Sequence, residues 1–201
     1  MTIRVFLPLT MLMLALSESS EATVVSIQSS IGGPFIYSSD NTLVSGGLVR
    51  VGRLTSAPAS GSVADISAVF QEFGETTTDP IGRLSSPLGN SAATAFNNSQ
   101  IYLWIFDGPT IGTATEHALL TNLSMPVASG EDWIFPFHTG TGTDIVVVSS
   151  QTLLTEGDKS ITPGVEFQTA TNRIILTPIP EPSVVALSAA LLGGLFLRRR
   201  R

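Results

Sequence analysis

The stretch "SQIYLWIFD", residues 99–107, decides how the body of this chain is read. It is dense in aromatic and β-branched side chains, which suit a pleated and packed surface. It stops at Asp107-Gly108-Pro109, a turn signal. A strand is predicted here, and the same logic runs outward from it. "TVVSIQ" (23–28) reads as a strand. "TLVSGGLVRVGRL" (42–54) alternates in its second half, with Leu48, Arg50 and Gly52 on one side and Val49, Val51 and Arg53 on the other. That pattern suits a strand near a sheet edge. In "DWIFPF" (132–137), Pro136 points to a strand end or edge. "DIVVVSSQTLL" (144–154) opens on an unbroken apolar run, as in a strand buried on both faces. "NRIILTP" (172–178) closes the series.

One segment departs from this pattern. "SGSVADISAVFQEFGE" (60–75) reads as a short helix. Ser62 and Asp65 have the spacing of a capping box, with Asp in place of Glu. Ile66, Val69, Phe70 and Phe73 fall on one helical face, and Gly74 is placed to stop the helix. Such a helix is too short to stand alone, so it is expected to pack on a sheet through the two Phe residues. The segments 56–65 and 85–100 are polar and low in bulk, and read as surface connections. No repeat of 20–50 residues is apparent. The expected fold is mainly β: a small β-sandwich-like domain over residues 23–177 with one short packed helix.

Composition narrows the function classes. Charged residues are only 13% of the 201, about half the usual share, which suits an exported β-rich protein. Residues 23–197 carry five basic side chains against fourteen carboxylates, nine negative charges in excess. A body this acidic lacks the footprint of a nucleic-acid binder, so no nucleic-acid partner is expected. The chain has no cysteine, which excludes disulfides, Cys-based zinc sites and a Cys nucleophile.

The two ends read as addresses. At the start, Arg4 supplies a positive charge ahead of an apolar run over 5–16, the length of a signal-peptide core. Ser20 and Ala22 place small residues at −3 and −1 before Thr23, and Ala15-Leu16-Ser17 is an alternative site. Residues 1–22 are thus expected to be a signal peptide, with the export translocon and a signal peptidase as partners. At the other end, residues 183–197 are fifteen residues without a charge. As a helix they span about 22 Å, short of the roughly 30 Å hydrocarbon core. Flanking arginines can snorkel and the bilayer can thin, so a marginal transmembrane helix is possible. Arg198, Arg199, Arg200 and Arg201 then set the topology, with the C-terminus in the cytoplasm and the body outside.

Just before this run stand Pro180, Glu181 and Pro182. A Pro-Glu-Pro element, a short apolar helix and a basic cluster, in that order, resemble the PEP-CTERM sorting signal of Gram-negative bacteria. The resemblance covers residues 178–201 and leaves the body unassigned. It implies an exosortase, a membrane-embedded cysteine transpeptidase, as a partner that cuts near the Pro-Glu-Pro element. It also implies a precursor anchored in the inner membrane, then release to the cell surface or extracellular matrix, as in a biofilm. The prolines around Glu181 hold the backbone extended, so these three residues are recognition elements in a substrate.

The body offers little chemistry. His117, His138, Glu116 and Asp107 fit no metal-ligand spacing, and adjacent Glu116 and His117 would point to opposite faces of a strand. No G-x-S-x-G string occurs, and the glycines of 138–148 precede a strand instead of leading one into a helix. Asp107, Glu131 and Asp132 sit at strand ends, where a carboxylate pair for glycoside hydrolysis would have to meet in space. Trp104 and Trp133, with Tyr102, Phe35 and Tyr37, are candidates for a sugar-stacking surface, although Trp104 lies inside an apolar run that favours burial. The leading expectation is a non-enzymatic body with no cofactor, metal or catalytic residue. The alternatives are a carbohydrate-binding module, with extracellular polysaccharide as partner, or a small matrix polysaccharide hydrolase.

Overall fold

The computed structural model describes residues 23–29, 33–90, 93–122, 133–137, 145–149, 152–155 and 160–180. Within them the chain is mainly β. The elements are β1 (Thr23–Gln28), β2 (Phe35–Tyr37), β3 (Leu48–Leu54), α1 (Val63–Val69), β4 (Phe70–Thr77), β5 (Ser85–Asn90), β6 (Tyr102–Phe106), β7 (Glu116–Leu120), β8 (Ile145–Ser149), α2 (Thr152–Thr155), β9 (Glu166–Gln168), β10 (Arg173–Ile175) and β11 (Thr177–Pro178). Five strands form an antiparallel sheet in the order β11-β7-β6-β3-β4. A second sheet runs β5-β1-β8, with β8 parallel to β1. A third runs β2-β10-β9, with β2 parallel to β10.

The stretch 99–107 supplies β6, the middle strand of the largest sheet. Its alternation is hidden because both faces are buried. Leu103 and Ile105 join Val49 and Val51 of β3 and Ala118 and Leu120 of β7 in the main core. Val25 and Ile27 of β1, Leu88 of β5, Ile36 of β2 and Ile174 of β10 reach the same core, so all three sheets share it. Trp104 and Phe106 point the other way and pack with Leu48, Leu119 and Ile66 of α1. The helix therefore closes the second face of the sheet.

The helix is shorter than its periodicity predicts. Ser62 caps it as expected, accepting the Asp65 N–H at 3.2 Å, and Ile66 is its fully buried residue. It ends at Val69, and Phe70 opens β4. A seven-residue helix contributes little by itself. Pairing of 70–77 with β3 wins instead, from Leu54↔Phe70 to Leu48↔Thr77. The register shifts between Val51 and Gly52, so Phe73 falls between the pairs Gly52↔Glu72 and Val51↔Gly74. This bulge directs Phe73 into the main core, against Phe96 and Phe135 with ring centroids 5.2 and 5.0 Å away. Phe70 stays with Trp104 on the helix side. The two Phe residues thus serve opposite faces, not one helical face.

β3 lies one strand in from the edge strand β4, near an edge as its alternation suggests. Other expectations shift. The strand expected over 144–154 ends at Ser149, β8 is an edge strand pairing with β1, and Leu153 and Leu154 sit in the short helix α2. Trp133 to Phe137 form no strand; one bridge joins Ile134 to Gln100. Residues 85–100, read as a surface connection, contain β5 and place Leu88 and Phe96 in the core. The strands β2, β7 and β9 carry no strand expectation from the sequence. Among the described residues no helix is long and apolar enough to cross a membrane. Residues 1–22 and the run 183–197 lie outside the described residues.

Candidate functional site at the β7 edge

The outer edge of β7 is covered by two separate pieces of chain. At one end Ser160 bridges Leu120, and the Ile161 N–H donates to the Leu119 carbonyl at 2.9 Å. At the other end β11 pairs Thr177 with His117 and Pro178 with Glu116. The Ile179 N–H then donates to the Thr115 carbonyl at 2.7 Å, one residue before Pro180. Pairing therefore continues past residue 177, the expected end of the body, to Ile179. Pro180 itself is exposed, with no ladder bond to give.

Beside β11 lies a groove of about 280 Å³, lined by Ser60, Gly61, Ser62, His117, Thr162, Pro163, Thr177, Pro178 and Pro180. Gly61 is required for its shape: a Cβ there would stand 2.4 Å from Cδ of Pro163. His117 forms the floor and is 1% exposed. Its Nδ1 accepts the Trp104 indole N–H at 3.1 Å, so the ring proton sits on Nε2. Burial pushes its pKa down to about 4, and the ring is neutral at pH 7. The one nitrogen lone pair of this tautomer is already committed to Trp104, so His117 is not placed to take a proton from a substrate.

The groove hydroxyls are similarly engaged. The Thr162 Oγ1 accepts the Leu119 N–H at 3.0 Å, Ser62 caps α1, and the Ser60 hydroxyl donates to the Asp65 carboxylate. Among the described residues none of these three hydroxyls is hydrogen-bonded to a histidine or lysine in the manner of an activated nucleophile.

Glu116 faces away from His117, as neighbours on a strand should. It is buried, accepting the Ser39 N–H at 2.7 Å and the Ser39 hydroxyl. Asp107 holds the 107–115 loop closed, accepting the Thr115 N–H at 2.8 Å, the Thr115 hydroxyl at 2.6 Å and the Glu116 N–H at 3.0 Å. His117, Glu116 and Asp107 are thus close in the fold but each has a structural partner. No group of three or more His, Asp or Glu able to hold a metal occurs among the described residues. His138, Glu131 and Asp132 lie outside them.

The sugar-stacking candidates are not gathered into a surface. Trp104 and Trp133 are both 0% exposed. The Tyr37 ring lies under the Arg173 guanidinium at 4.3 Å, and Tyr102 packs against the Trp104 cluster. Of the residues expected to act in sorting and topology, Pro180 is described; Glu181, Pro182, Arg198, Arg199, Arg200 and Arg201 lie outside the described residues. The groove itself escaped sequence reading because its walls come from segments around 60, 117, 162 and 178, which no local pattern links. No protein-family model, curated protein or solved structure matches the chain.

Proposed function

We propose that this chain is an exported cell-surface or extracellular-matrix protein, sorted through its C-terminal segment by an exosortase, with a non-enzymatic body. The body is sandwich-like, with the five-stranded sheet on one side of the main core and the two three-stranded sheets on the other. The observation that carries the reading is the composite at residues 180–201: Pro180-Glu181-Pro182, fifteen uncharged residues and four arginines, in a chain that opens with an export-type signal. The end of strand pairing at Ile179 supports it, because the strip beyond is free of ladder bonds to the body up to the exposed Pro180. The committed state of His117 and the groove hydroxyls supports a body without catalysis. Burial of both Trp residues removes the main support for a sugar-stacking module.

The test is fractionation with C-terminal mass spectrometry, in cells with and without the processing enzyme. Loss of the apolar run and arginines from surface protein, dependent on the enzyme, is the expected result. Surface protein that keeps all four arginines would overturn the reading. Glu181→Ala should hold the precursor in the membrane fraction.

A further inference from the structure

We propose that the groove side of the β7–β11 edge is a membrane-contact surface, laid on lipid headgroups while the precursor is anchored. The inference rests on the reading of 183–197 as a membrane segment and goes beyond it. Among the described residues the last hydrogen bond to the body is at Ile179, and the apolar run begins at Ser183. Four residues reach at most about 14 Å. The headgroup layer on one side of a bilayer takes up about 5–7 Å of that. No spacer separates the sheet edge from the membrane, so the chain around residue 179 is held against the headgroups.

The composition of that edge fits the contact. The segments 57–62, 109–115, 161–165 and 176–180 contain no Asp, Glu, Lys, Arg or His. They are neighbours in space: three of them line the groove, Thr115 accepts from Ile179, and Ile111 and Ala114 pack in one cluster with Val63 and Ile161. This uncharged rim stands in a body, residues 23–177, with eight negative charges in excess, which an anionic bilayer would repel. One described acid, Asp65, borders this face, where its carboxylate is bound by the Ser60 hydroxyl. Asp107 is bound to its own loop, and Asp40 belongs to the 38–42 turn that reaches Glu116 from the other face of the sheet. The body therefore leans on its groove side.

The absence of cysteine makes a clean test possible. Single-cysteine variants Ala59→Cys and Gly112→Cys place a fluorophore on the rim, and Ala95→Cys places one beyond the opposite end of β6. All three positions are exposed, and a Cβ at Gly112 meets nothing within 4 Å. The full chain is reconstituted in vesicles of phosphatidylethanolamine and phosphatidylglycerol carrying a headgroup-linked quencher. Quenching several-fold stronger at 59 and 112 than at 95 is expected. A flexible Gly/Ser spacer of about twelve residues after Pro182, with a root-mean-square length of about 19 Å, should abolish the difference. Equal quenching at all three sites in protein that floats with the vesicles would overturn the contact surface alone. Protein that does not float would overturn the membrane reading, and the surface with it.

Discussion

The indole N–H of Trp104 donates to Nδ1 of His117 at 3.1 Å, and both side chains are buried between α1 and the five-stranded sheet. The bond fixes a neutral imidazole at the centre of the sheet's second face. The pH dependence follows with a definite sign. An unfolded His titrates near 6.5 and this one near 4. Above pH 6.5 both states are neutral and the group contributes no slope. Between 6.5 and 4 the unfolded chain takes a proton that the folded chain refuses, so stability falls as pH falls, by about 3 kcal/mol in all. Urea unfolding at pH 7 and pH 4.5 should show this loss. His117→Gln, which keeps an acceptor for Trp104, should lower stability at pH 7 but remove this part of the slope. A variant with the parent's full slope would show that His117 is not its source.

Arg50 is the counterpart on the same face. Its guanidinium carbon lies 5.3 Å from the Phe70 ring centroid and 5.6 Å from that of Trp104, and it is ion-paired with Glu72. The rings and the covered stem should matter more than the ion pair, which is only partly buried. Arg50→Ala is expected to cost about 1–2 kcal/mol, and Glu72→Gln about 0.5 kcal/mol or less. Chemical denaturation of the two variants decides the order. An equal cost for both would shift the weight to the ion pair.

The strand in "SQIYLWIFD" was legible from its aromatic and β-branched density, but the burial of both its faces came only from the packing around it. The alternation of β3 was legible too, since Leu48 and Arg50 do face the helix side while Val49 and Val51 face the main core. The helix start at Ser62 was legible from its cap. The helix end was not. The apolar spacing at 66, 69, 70 and 73 fits a helix, and nothing local announces that β3 will pair with 70–77 or that a bulge will turn Phe73 inward. Short strands such as "FIY" and "EHALL" are set by their partners, not by their own composition. The attachment of residues 177–179 to β7 was not legible, because it depends on a contact sixty residues away in sequence.

Phe70 and Phe73 offer a direct test of the bulge. On one helical face they would touch and couple. On opposite faces of a sheet they have different partners, Trp104 for the first and Phe96 and Phe135 for the second. Phe70→Leu and Phe73→Leu should each cost about 1–2 kcal/mol. The double variant should be additive to within about 0.5 kcal/mol. A coupling well above that would restore the helical arrangement.

The groove wall can be probed through two glycines. Gly61→Ala puts a methyl where Pro163 already stands, and should cost about 1–3 kcal/mol through the strain of overpacking. Gly112→Ala meets nothing within 4 Å and needs no unusual backbone, so it should be neutral or stabilising by up to about 1 kcal/mol. Thermal unfolding of the pair distinguishes close approach from a general intolerance of change in these loops.

The last expectation concerns where the folded body ends. β11 contributes a two-residue ladder and the Ile179–Thr115 hydrogen bond, and it covers the groove side of His117. A chain of residues 23–180 keeps all of these. A chain of 23–176 loses them, at about 1 kcal/mol for each hydrogen bond, and wets the imidazole. The longer chain should therefore match the full body in denaturant midpoint, while the shorter one unfolds at distinctly lower denaturant. Its His117 should also titrate closer to 6.5, because the desolvation that depresses it is relieved. The imidazole resonance followed by NMR from pH 7.5 to 4 reads this out site by site. Equal midpoints and an unmoved His117 would mean that β11 is an ornament on the sheet edge. The expected result makes Ile179 part of the fold, and confines any cut that preserves it to the residues that follow.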